Sequence, residues 1–518
     1  MPDITRGVRA FTIGTAISRF LGLVRESVFA YLFGAGMATD AFNAAFRIPN
    51  LFRDLFAETA LSAAFIPPLT SAKQKGKEQQ NLLASNVFNI LVIVVGITVV
   101  LGIVLSPYIV KVIAFGFGAV PNKLGLTAAL TSVIFPFLFF IAFAAWAMGY
   151  LNTEQEFFIP SLAPAFFNVL SIATPIVLYA YLVNRGVEPI FGMAIGVTLG
   201  GLMQFLIQIP RLYKRGFRYR FYINLKDPGF KKILTLFVPV AIGLAASRIN
   251  VTVDTFLVSL LAERSMTWLN YAYRIMHLPL GLFGIAVGTV ALPTISRYVA
   301  QEKHAEAKNM LFDSIKLVFF LTVASTAIIA FLSYPITRLI YERGKFTPFD
   351  TYATTQALIL YIIGIPFIAG VRNTAAVYYA YKDARTPMYA SFTAVAVNIT
   401  LNLLLMHIMG FRAFPLSTTI SSFVNLAILF YFLPRKIGKF DILPLVRYFI
   451  LLTIAACAAG LAAMVINNFL TGTIGITFVN QILNLLISGI LALAIFYSLC
   501  LILGLGEARD FLKRLIKR

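Results

Sequence analysis

Cysteine, histidine, tryptophan and charged residues are all scarce in this chain. Its 518 residues include 2 cysteines, 3 histidines and 2 tryptophans, and Asp, Glu, Lys and Arg together make up 12%. Both cysteines lie in apolar segments, which favours packing over a disulfide or a metal centre. The sequence has no Walker A loop, no His-Glu zinc-protease motif and no nucleophile elbow. We therefore expect a protein that is not an enzyme and holds no cofactor.

Hydrophobic residues, in contrast, make up 59% of the chain, and the mean hydropathy is +0.85. Soluble domains carry about twice this share of charged residues. Apolar segments of about 20 residues, the length that crosses a bilayer, recur from end to end. The sequence thus predicts an all-α polytopic membrane protein with fourteen spans, near 10–33, 41–66, 82–107, 127–151, 159–183, 189–210, 232–261, 267–295, 310–333, 351–380, 387–410, 413–433, 444–468 and 476–505.

The net charge of +22 is distributed unevenly along the chain. Most Lys and Arg residues fall in the termini and the even-numbered loops, including the stretch 211–232 and the tail 509–518. By the positive-inside rule, both termini are then cytoplasmic. We interpret the basic face as a contact for anionic lipid headgroups, and we expect no nucleic-acid partner.

Short matching segments recur in order at a nearly constant offset along the chain. Six pairs of segments match: Ser18-Arg19 with Ser247-Arg248, 46–49 with 273–276, 65–67 with 291–293, Pro136-Phe137 with Pro366-Phe367, Pro160 with Pro387, and Pro210-Arg211 with Pro434-Arg435. Such parallel repeats are a frequent transporter plan, with the substrate site between two lobes. The predicted divisions are a first lobe of six spans at 1–215, a second at 216–440, and two appended spans with a basic tail at 441–518.

Seven arginines lie inside the predicted spans. A charge at the bilayer centre costs ~2.5–3.5 kcal/mol on insertion scales, so such residues normally face a bundle interior or a wet cavity. Guanidinium groups bind phosphate and carboxylate in a bidentate manner. These residues predict an anionic substrate; they are Arg19, Arg25, Arg47, Arg53, Arg248, Arg274 and Arg372.

Helical spacing groups polar side chains into stripes. The second span carries one such stripe, formed by Arg47, Asn50, Asp54 and Glu58, and Arg19 shares a face of the first span with Glu26. Ion pairs Arg19–Glu26 and Arg47–Asp54 are one open interpretation, because buried charges often neutralise each other. Arg25, Arg53, Arg274 and Arg372 have no such partner at helical spacing and are the stronger candidates for ligand contact. The eighth span has a third stripe of Thr267, Asn270, Arg274 and His277.

A smaller group of oxygen-bearing side chains could bind a cation. It consists of Asp254 in the seventh span, Asn398 and Asn402 in the eleventh, and Thr418 in the twelfth. Carboxylate, amide and hydroxyl oxygens suit a hard cation such as Na⁺. The alternative is that a protonated or hydrogen-bonded Asp254 braces the helix bundle.

Eight short motifs along the chain together carry a family resemblance. They are SRFLGLVRE at 18–26, FGAGMATDAF at 33–42, RIPNL at 47–51, FAE at 56–58, FIP at 65–67, WLNYAYR at 268–274, GKFT at 344–347 and RTP at 385–387. With them the chain resembles the MurJ (MviN) family of bacterial lipid II flippases over essentially its whole length. The resemblance implies the multidrug/oligosaccharidyl-lipid/polysaccharide exporter fold, with fourteen helices, two lobes and a V-shaped cavity. It also implies a groove, formed with the last two helices, for the polyprenyl tail of the substrate.

The resemblance further implies roles for individual residues. Arg19, Arg25 and Arg53 match the cavity arginines that receive the diphosphate and sugar headgroup, and Arg274 matches the arginine of the eighth helix. Acidic positions important in the family correspond to Asp40 and Glu58, and Arg372 stands where some relatives have lysine. Besides the residues that the resemblance implies, we expect supporting polar positions within the spans at Ser18, Glu26, Arg47, Asn50, Asp54, Arg248 and Asn270. Tyr273 and His277 depart from the family, because relatives have acidic residues there that would pair with Arg274.

We therefore expect a flippase of the bacterial inner membrane that moves lipid II to the periplasmic leaflet by alternating access. Membrane potential, Na⁺ or H⁺ would drive the cycle, and cell-wall synthesis enzymes are candidate partners besides lipid II and membrane lipids. A cation-coupled small-molecule antiporter of the same superfold is the alternative. Its cavity should contain fewer arginines and more carboxylates. A scaffold that transports nothing is a second alternative.

Overall fold

The computed structural model describes residues 2–53, 60–281 and 285–506. Side chains are described from residue 13 onward, apart from those at 60, 62–63, 242–249 and 285–290. Over this part of the chain the secondary structure is helical, and no strand is present. The predicted all-α class is confirmed.

The α-helices are numbered in chain order. They are α1 Pro2–Phe33, α2 Met37–Arg53, α3 Ala60–Lys75, α4 Lys77–Val104, α5 Ser106–Ile113, α6 Lys123–Ile134, α7 Pro136–Thr153, α8 Phe158–Asn184, α9 Phe191–Leu206, α10 Ile209–Lys214, α11 Pro228–Ser259, α12 Ser265–Pro279, α13 Ile285–Ala300, α14 His304–Phe331, α15 Ser333–Tyr341, α16 Pro348–Ile362, α17 Ile365–Ala380, α18 Arg385–Met409, α19 Ala413–Phe432, α20 Pro434–Ile437, α21 Leu443–Ile474 and α22 Phe478–Ile502.

Helix boundaries follow local capping chemistry. The side chain of Asp227 accepts a hydrogen bond from the Phe230 N–H at 2.9 Å, and Pro228 occupies the first turn of α11. Thr347 and Asp350 form a reciprocal capping box at the start of α16. Such caps satisfy N–H groups that a helix leaves without partners, and a proline in the first turn loses no intrahelical bond.

Nine segments in the described residues are long and apolar enough to cross a membrane. They cover ten of the fourteen predicted spans, because the segment Arg385–Ile437 contains both α18 and α19. The other four predicted spans, 10–33, 41–66, 232–261 and 267–295, correspond to α1, α2 with α3, α11, and α12 with α13. These four carry six of the seven arginines, which lowers their hydropathy. The count of fourteen stays a prediction.

The chain divides into two compact units. The first comprises Met1–Thr267 with Arg343–Phe346, and the second comprises Trp268–Glu342 with Thr347–Arg518. Helix α11 therefore belongs to the first unit, although the predicted repeat places its sequence at the start of the second copy. Compact units reflect packing whereas repeats reflect sequence likeness, so the divisions at 215 and 440 stay predictions.

In the first unit, α8 packs on both α1 and α9, α2 packs on α6, and α3 packs on α11. Buried aromatic residues of α7 anchor this unit through their polar atoms. Trp146 donates to the Ala84 carbonyl at 3.0 Å, and the Tyr150 hydroxyl donates to the Asn81 side chain at 2.7 Å. Both bonds satisfy groups that would be costly to bury alone.

A short loop at residues 343–346 belongs to the first unit because it docks on the end of α1. The Lys345 N–H donates to the Tyr31 carbonyl at 3.0 Å. Two glycines permit this close approach. A Cβ on Gly34 would lie 2.4 Å from the Lys345 carbonyl oxygen, and one on Gly344 would lie 2.3 Å from that of Tyr31. Both have φ near +60°, a region that other residues adopt only with strain.

The second unit is organised around α14, which packs on α17, α13 and α21, while α21 packs on α22. Its core contains Tyr378, Leu429, Leu452 and Phe496. The Tyr378 hydroxyl donates to the Leu429 carbonyl at 2.6 Å, so a buried polar group is satisfied.

Outside the spans, the turn after α17 is fixed by Asp383. Its carboxylate accepts hydrogen bonds from the Thr386 N–H and hydroxyl and forms an ion pair with Lys436 at 3.0 Å. Burial tends to raise the pKa of Asp383, but these bonds outweigh burial and lower the pKa from 3.8 to about 2.

Candidate functional site

The arginines of α1 have different surroundings in the first unit. The Arg25 guanidinium pairs with the adjacent Glu26 at 2.7 Å and lies 5.3 Å from the centre of the Phe167 ring. Both charged side chains are largely buried, at 11% and 7% exposed. The sequence therefore failed to identify the carboxylate partner of Arg25, which is the neighbouring residue and not one at helical spacing.

Arg19 is exposed, and in the described part of the chain it forms no ion pair. The open interpretation of an Arg19–Glu26 ion pair is therefore wrong. Seven residues along a helix span about 10.5 Å, so Arg19 lies two turns away from a carboxylate that Arg25 already holds. Beside Arg19, the Ser18 carbonyl accepts a hydrogen bond from Asn168 at 2.9 Å, which ties α1 to α8.

Asp40 is the centre of an enclosed polar cluster in the first unit. Its side chain is 1% exposed and pairs with Lys123 at 3.0 Å. It also accepts hydrogen bonds from the Arg264 N–H at 2.8 Å, and from the Thr267 N–H at 3.0 Å and hydroxyl at 2.6 Å. One carboxylate thus joins α2, α6 and the start of α12, together with Arg264 just before it. The resemblance pointed to Asp40, whereas Lys123, which lies between the predicted spans 82–107 and 127–151, was not among the candidate residues.

Helix α2 places Arg47, Asn50 and Arg53 in half-buried positions. Arg47 donates to the Thr255 hydroxyl of α11 at 3.0 Å. The rest of the predicted stripe, Asp54 and Glu58, lies outside the described residues, and so does the side chain of Arg248. The predicted Arg47–Asp54 pair therefore stays a prediction.

In the second unit, α12 carries Asn270 and Arg274, both half-buried. The neighbouring Tyr273, where the resemblance leads us to expect an acidic residue, is 44% exposed and belongs to an aromatic group. Its ring centre lies 4.2 Å from that of His277 and 5.8 Å from that of Tyr361. Aromatic packing thus occupies the position of the acidic partner expected from the resemblance.

Arg372 of α17 lines a cavity of about 240 Å³ within the second unit. Its side chain is exposed, and it has neither a hydrogen bond nor an ion pair to any described residue. An unpaired guanidinium beside hydroxyl and amide groups suits an anion that also carries hydrogen-bonding groups. The cavity is lined by Val371, Arg372, Ala375, Tyr379, Pro387, Ser391, Asn425 and Leu429.

The predicted cation ligands make local contacts in their own units. In the first unit, Asn250 lies 3.5 Å from an Asp254 carboxylate oxygen. In the second, the Asn402 amide donates to the Asn398 side chain at 3.2 Å, and the Thr418 hydroxyl donates to the Phe414 carbonyl. Bonds of this kind are what the bracing alternative requires. The Na⁺ site stays a prediction.

The sequence matches the family model described as lipid II flippase MurJ over residues 29–485. The chain belongs to the lipid II flippase MurJ family. The probable lipid II flippase MurJ of Vibrio cholerae is 37% identical over 433 residues, covering 80% of each chain. The lipid II flippase MurJ of Burkholderia cenocepacia is 32% identical and covers 88% of this chain and 89% of its own. The resemblance seen in the motifs is confirmed.

Solved structures agree with this family membership. A lipid II flippase MurJ in an inward closed conformation is similar with a TM-score of 0.73 and 29% identity, covering 94% of this chain and 98% of its own. An inward-facing multidrug resistance MATE family transporter of the MOP superfamily has a TM-score of 0.63 at 15% identity, covering 83% of this chain and 98% of its own. The second likeness concerns the fold alone. This MurJ-family protein is a multi-pass membrane protein with the exporter fold.

Proposed function

We propose that this protein moves lipid II, the lipid-linked peptidoglycan precursor, from the cytoplasmic to the periplasmic leaflet of the bacterial inner membrane. The proposal rests on membership of the lipid II flippase MurJ family over residues 29–485. Both termini would be cytoplasmic, following the positive-inside distribution of Lys and Arg. The protein would act as a transporter and catalyse no covalent change. Enzymes of cell-wall synthesis would supply the precursor and consume it on the opposite side.

The headgroup diphosphate would bind to the arginines Arg19, Arg25, Arg53, Arg274 and Arg372. Arg19 and Arg372 support this assignment because both are exposed, and neither has an ion pair to a described residue. Arg25 is held by Glu26 at 2.7 Å, so a diphosphate that binds it must compete with that carboxylate. Diphosphate binding would therefore depend on whether the Arg25–Glu26 ion pair is formed or broken. Ligand binding can shift a conformational equilibrium only through a difference in affinity between states.

The supporting residues would hold this arrangement in place. Asp40 joins three segments of the first unit, Ser18 holds α8 through its carbonyl, and Arg47 connects α2 to α11. The supporting roles of five further residues are proposed from the resemblance and from helical spacing. These residues are Asn50, Asp54, Glu58, Arg248 and Asn270.

The driving force would come from the membrane potential or from cation binding. A charge that crosses the membrane gains ~2.3 kcal/mol per 100 mV, enough to bias a cycle of lobe movements. Na⁺ would use the oxygens of Asp254, Asn398, Asn402 and Thr418, whereas H⁺ coupling would use protonation of Asp254. Replacing Na⁺ in the flipping assay would distinguish these two sources.

The test is the accessibility of lipid II at the outer surface of cells whose only flippase is this protein. Labelling or cleavage of the precursor from the periplasmic side reports each flipping event. We expect Arg53→Ala and Arg372→Ala to reduce this signal strongly, whereas Arg185→Ala, an exposed arginine outside the proposed site, should retain it. Normal flipping by the first two variants would refute the binding role of the arginines. Absence of flipping by the wild type would refute the proposed function.

Arg25 needs a separate design because its removal takes away the guanidinium that pairs with the buried Glu26 carboxylate at 2.7 Å. Removing one partner of a buried ion pair typically destabilises a protein by about 3–5 kcal/mol. The single variant Arg25→Ala could therefore fail through folding alone. The double variant Arg25→Ala with Glu26→Ala removes both charges. We expect it to insert and fold normally while flipping stays lost, and recovery of flipping would contradict headgroup binding by Arg25.

A further inference from the structure

Helix α4 carries a row of polar side chains where it enters the predicted third span, 82–107. The row comprises Asn81, Ser85, Asn86 and Asn89, spaced so that they share one face of the helix. All four are buried, each at 7% exposure or less. Amide groups facing acyl chains would be costly without hydrogen-bond partners, so a neighbouring segment must supply them.

That partner is the segment 217–226, which we call the strap. It contains no helix: a turn at 225–226 ends it, and α11 begins at Pro228. Its hydrogen bonds follow the polar row of α4. Asn86 both donates to the Asn224 carbonyl at 2.9 Å and accepts from the Asn224 N–H at 2.8 Å. Asn89 donates to the Tyr222 carbonyl at 3.0 Å and accepts from the Tyr219 hydroxyl at 2.8 Å.

Further bonds to α4 hold the strap and the glycine just before it. The Asn81 amide donates to the Gly216 carbonyl at 3.0 Å, and the Arg220 N–H donates to the Ser85 hydroxyl at 3.2 Å. The strap is therefore held at several points along its length, and its outer face has a defined orientation.

The outer face of the strap is apolar. Alternate residues point away from α4, and their exposed fractions are 79% for Phe221, 44% for Ile223 and 63% for Leu225. Tyr219 continues this row with its ring 46% exposed, while its hydroxyl bonds to Asn89. Large apolar side chains exposed at alternate positions are unusual for a loop that faces water. One turn beyond Asn89, α4 exposes Ile93 at 47%. The strap thus covers the polar row with an apolar surface just before the lipid-facing part of the helix.

Cations flank this apolar row. Five of these cations are exposed, and none has a side-chain hydrogen bond or ion pair to another described residue. They are Arg211, Lys214, Lys226, Lys231 and Lys232. Arg215 and Arg220, in contrast, pair with Glu156 and Glu78. Apolar side chains between exposed Lys and Arg residues are typical of segments that lie in the membrane interface, where the cations contact anionic headgroups.

We propose that the strap is a membrane-interface anchor that binds anionic phospholipid. Phe221 and its apolar neighbours enter the boundary between headgroups and acyl chains, and the flanking lysines and arginines contact the headgroup phosphates. The strap joins α10 to α11, so lipid binding there would fix the position of the α11 N-terminus relative to the membrane. This inference does not depend on the proposed transport function.

The experiment places a fluorescent probe at the most exposed strap position. The full-length Phe221→Trp variant is reconstituted in vesicles of phosphatidylcholine alone or with one quarter phosphatidylglycerol, each with lipids brominated near the headgroup. The native Trp146 and Trp268 are buried, and the wild-type protein supplies their background. We expect a blue-shifted emission that brominated lipid quenches, with stronger quenching when phosphatidylglycerol is present. Absence of quenching in both vesicles would overturn the proposal and indicate a strap facing water or another protein.

Charge variants test the choice of lipid. In the Phe221→Trp background, Lys226→Gln with Lys231→Gln should remove the extra quenching caused by phosphatidylglycerol. The matched control, Lys303→Gln with Lys382→Gln, changes two exposed lysines elsewhere and should retain it. Equal quenching in neutral and anionic vesicles would overturn the anionic preference. All the substituted side chains point away from α4 or lie beyond the strap, so the hydrogen bonds that hold it remain.

Discussion

The ion pair between Asp40 and Lys123 leads to a quantitative prediction about stability. Both side chains are at most 3% exposed, and their charged atoms lie 3.0 Å apart. Lys123→Met keeps a side chain of similar length but removes the ammonium group. Asp40 would retain three hydrogen bonds from Arg264 and Thr267, but it would lose its buried positive partner.

The expected loss follows from the burial of the pair. Removing one partner of a buried ion pair typically costs about 3–5 kcal/mol, because the remaining charge is left uncompensated. Because Asp40 keeps three hydrogen bonds, we expect Lys123→Met to lower the free energy of unfolding by about 3 kcal/mol, the lower end of this range. Asp40→Asn should cost at least as much, because it leaves Lys123 charged and also presents an amide N–H₂ to groups that are donors. Combining the two changes removes both charges, so the double variant should be less destabilised than the sum of the singles by about 1–3 kcal/mol.

The assay is unfolding of the purified protein in detergent, followed by circular dichroism as a denaturing detergent is added. Lys75→Met, at an exposed lysine, serves as the control and should change the unfolding midpoint little. A cost below about 1 kcal/mol for Lys123→Met would refute the reasoning, because that is the range of exposed ion pairs. Strict additivity in the double variant would show that Asp40 and Lys123 are not energetically coupled.

Three further predictions concern a close approach, a titration and a competing carboxylate. Gly34→Ala places a Cβ 2.4 Å from the Lys345 carbonyl oxygen at a φ of +64°, so we expect a lower thermal midpoint, and an unchanged midpoint would contradict the docking of that loop. The pKa of Asp383 is lowered from 3.8 to about 2, so its ionised form stabilises the fold above about pH 4 and this stabilisation is lost as the pH falls toward 2. Asp383→Asn should therefore flatten the acid limb of stability between these pH values, measured by thermal unfolding. Glu26→Gln removes the carboxylate that competes for Arg25, so a fluorescent lipid diphosphate should bind more tightly, and weaker binding would indicate that Glu26 positions Arg25 for the headgroup.

Much of the architecture could be predicted from the sequence because its causes are local. A run of apolar residues of bilayer length predicts a membrane helix regardless of what lies beside it. The ten predicted spans that the apolar segments of the structure cover are of this kind. The four charged spans are harder, since the arginines that indicate function also weaken the hydropathy signal. Their helices are present in the described residues, but their number of crossings is not fixed by apolar length alone.

The partners of the charged residues could not be predicted, because they come from distant parts of the chain. Lys123 lies 83 residues from Asp40, and Asn86 lies 138 residues from Asn224. Helical periodicity places each side chain on a face but does not say which helix or loop that face meets. Arg25 was missed for a different reason: helical spacing pairs side chains three or four residues apart, whereas its guanidinium contacts the carboxylate of the adjacent Glu26.

The sequence by itself thus determined the class of the protein, its residence in a membrane and its family, and it predicts a set of charged residues suited to an anionic lipid. This information lies in the composition, in the length of the apolar segments and in the order of the motifs, all of which can be read without knowing which segments meet. Only the tertiary structure decided that Lys123 neutralises Asp40, that Arg372 faces a cavity without an ionic partner in the described residues, and that the strap covers the polar row of α4. These are contacts between separate segments, and their energies depend on distance and burial, which exist only after the helices have packed.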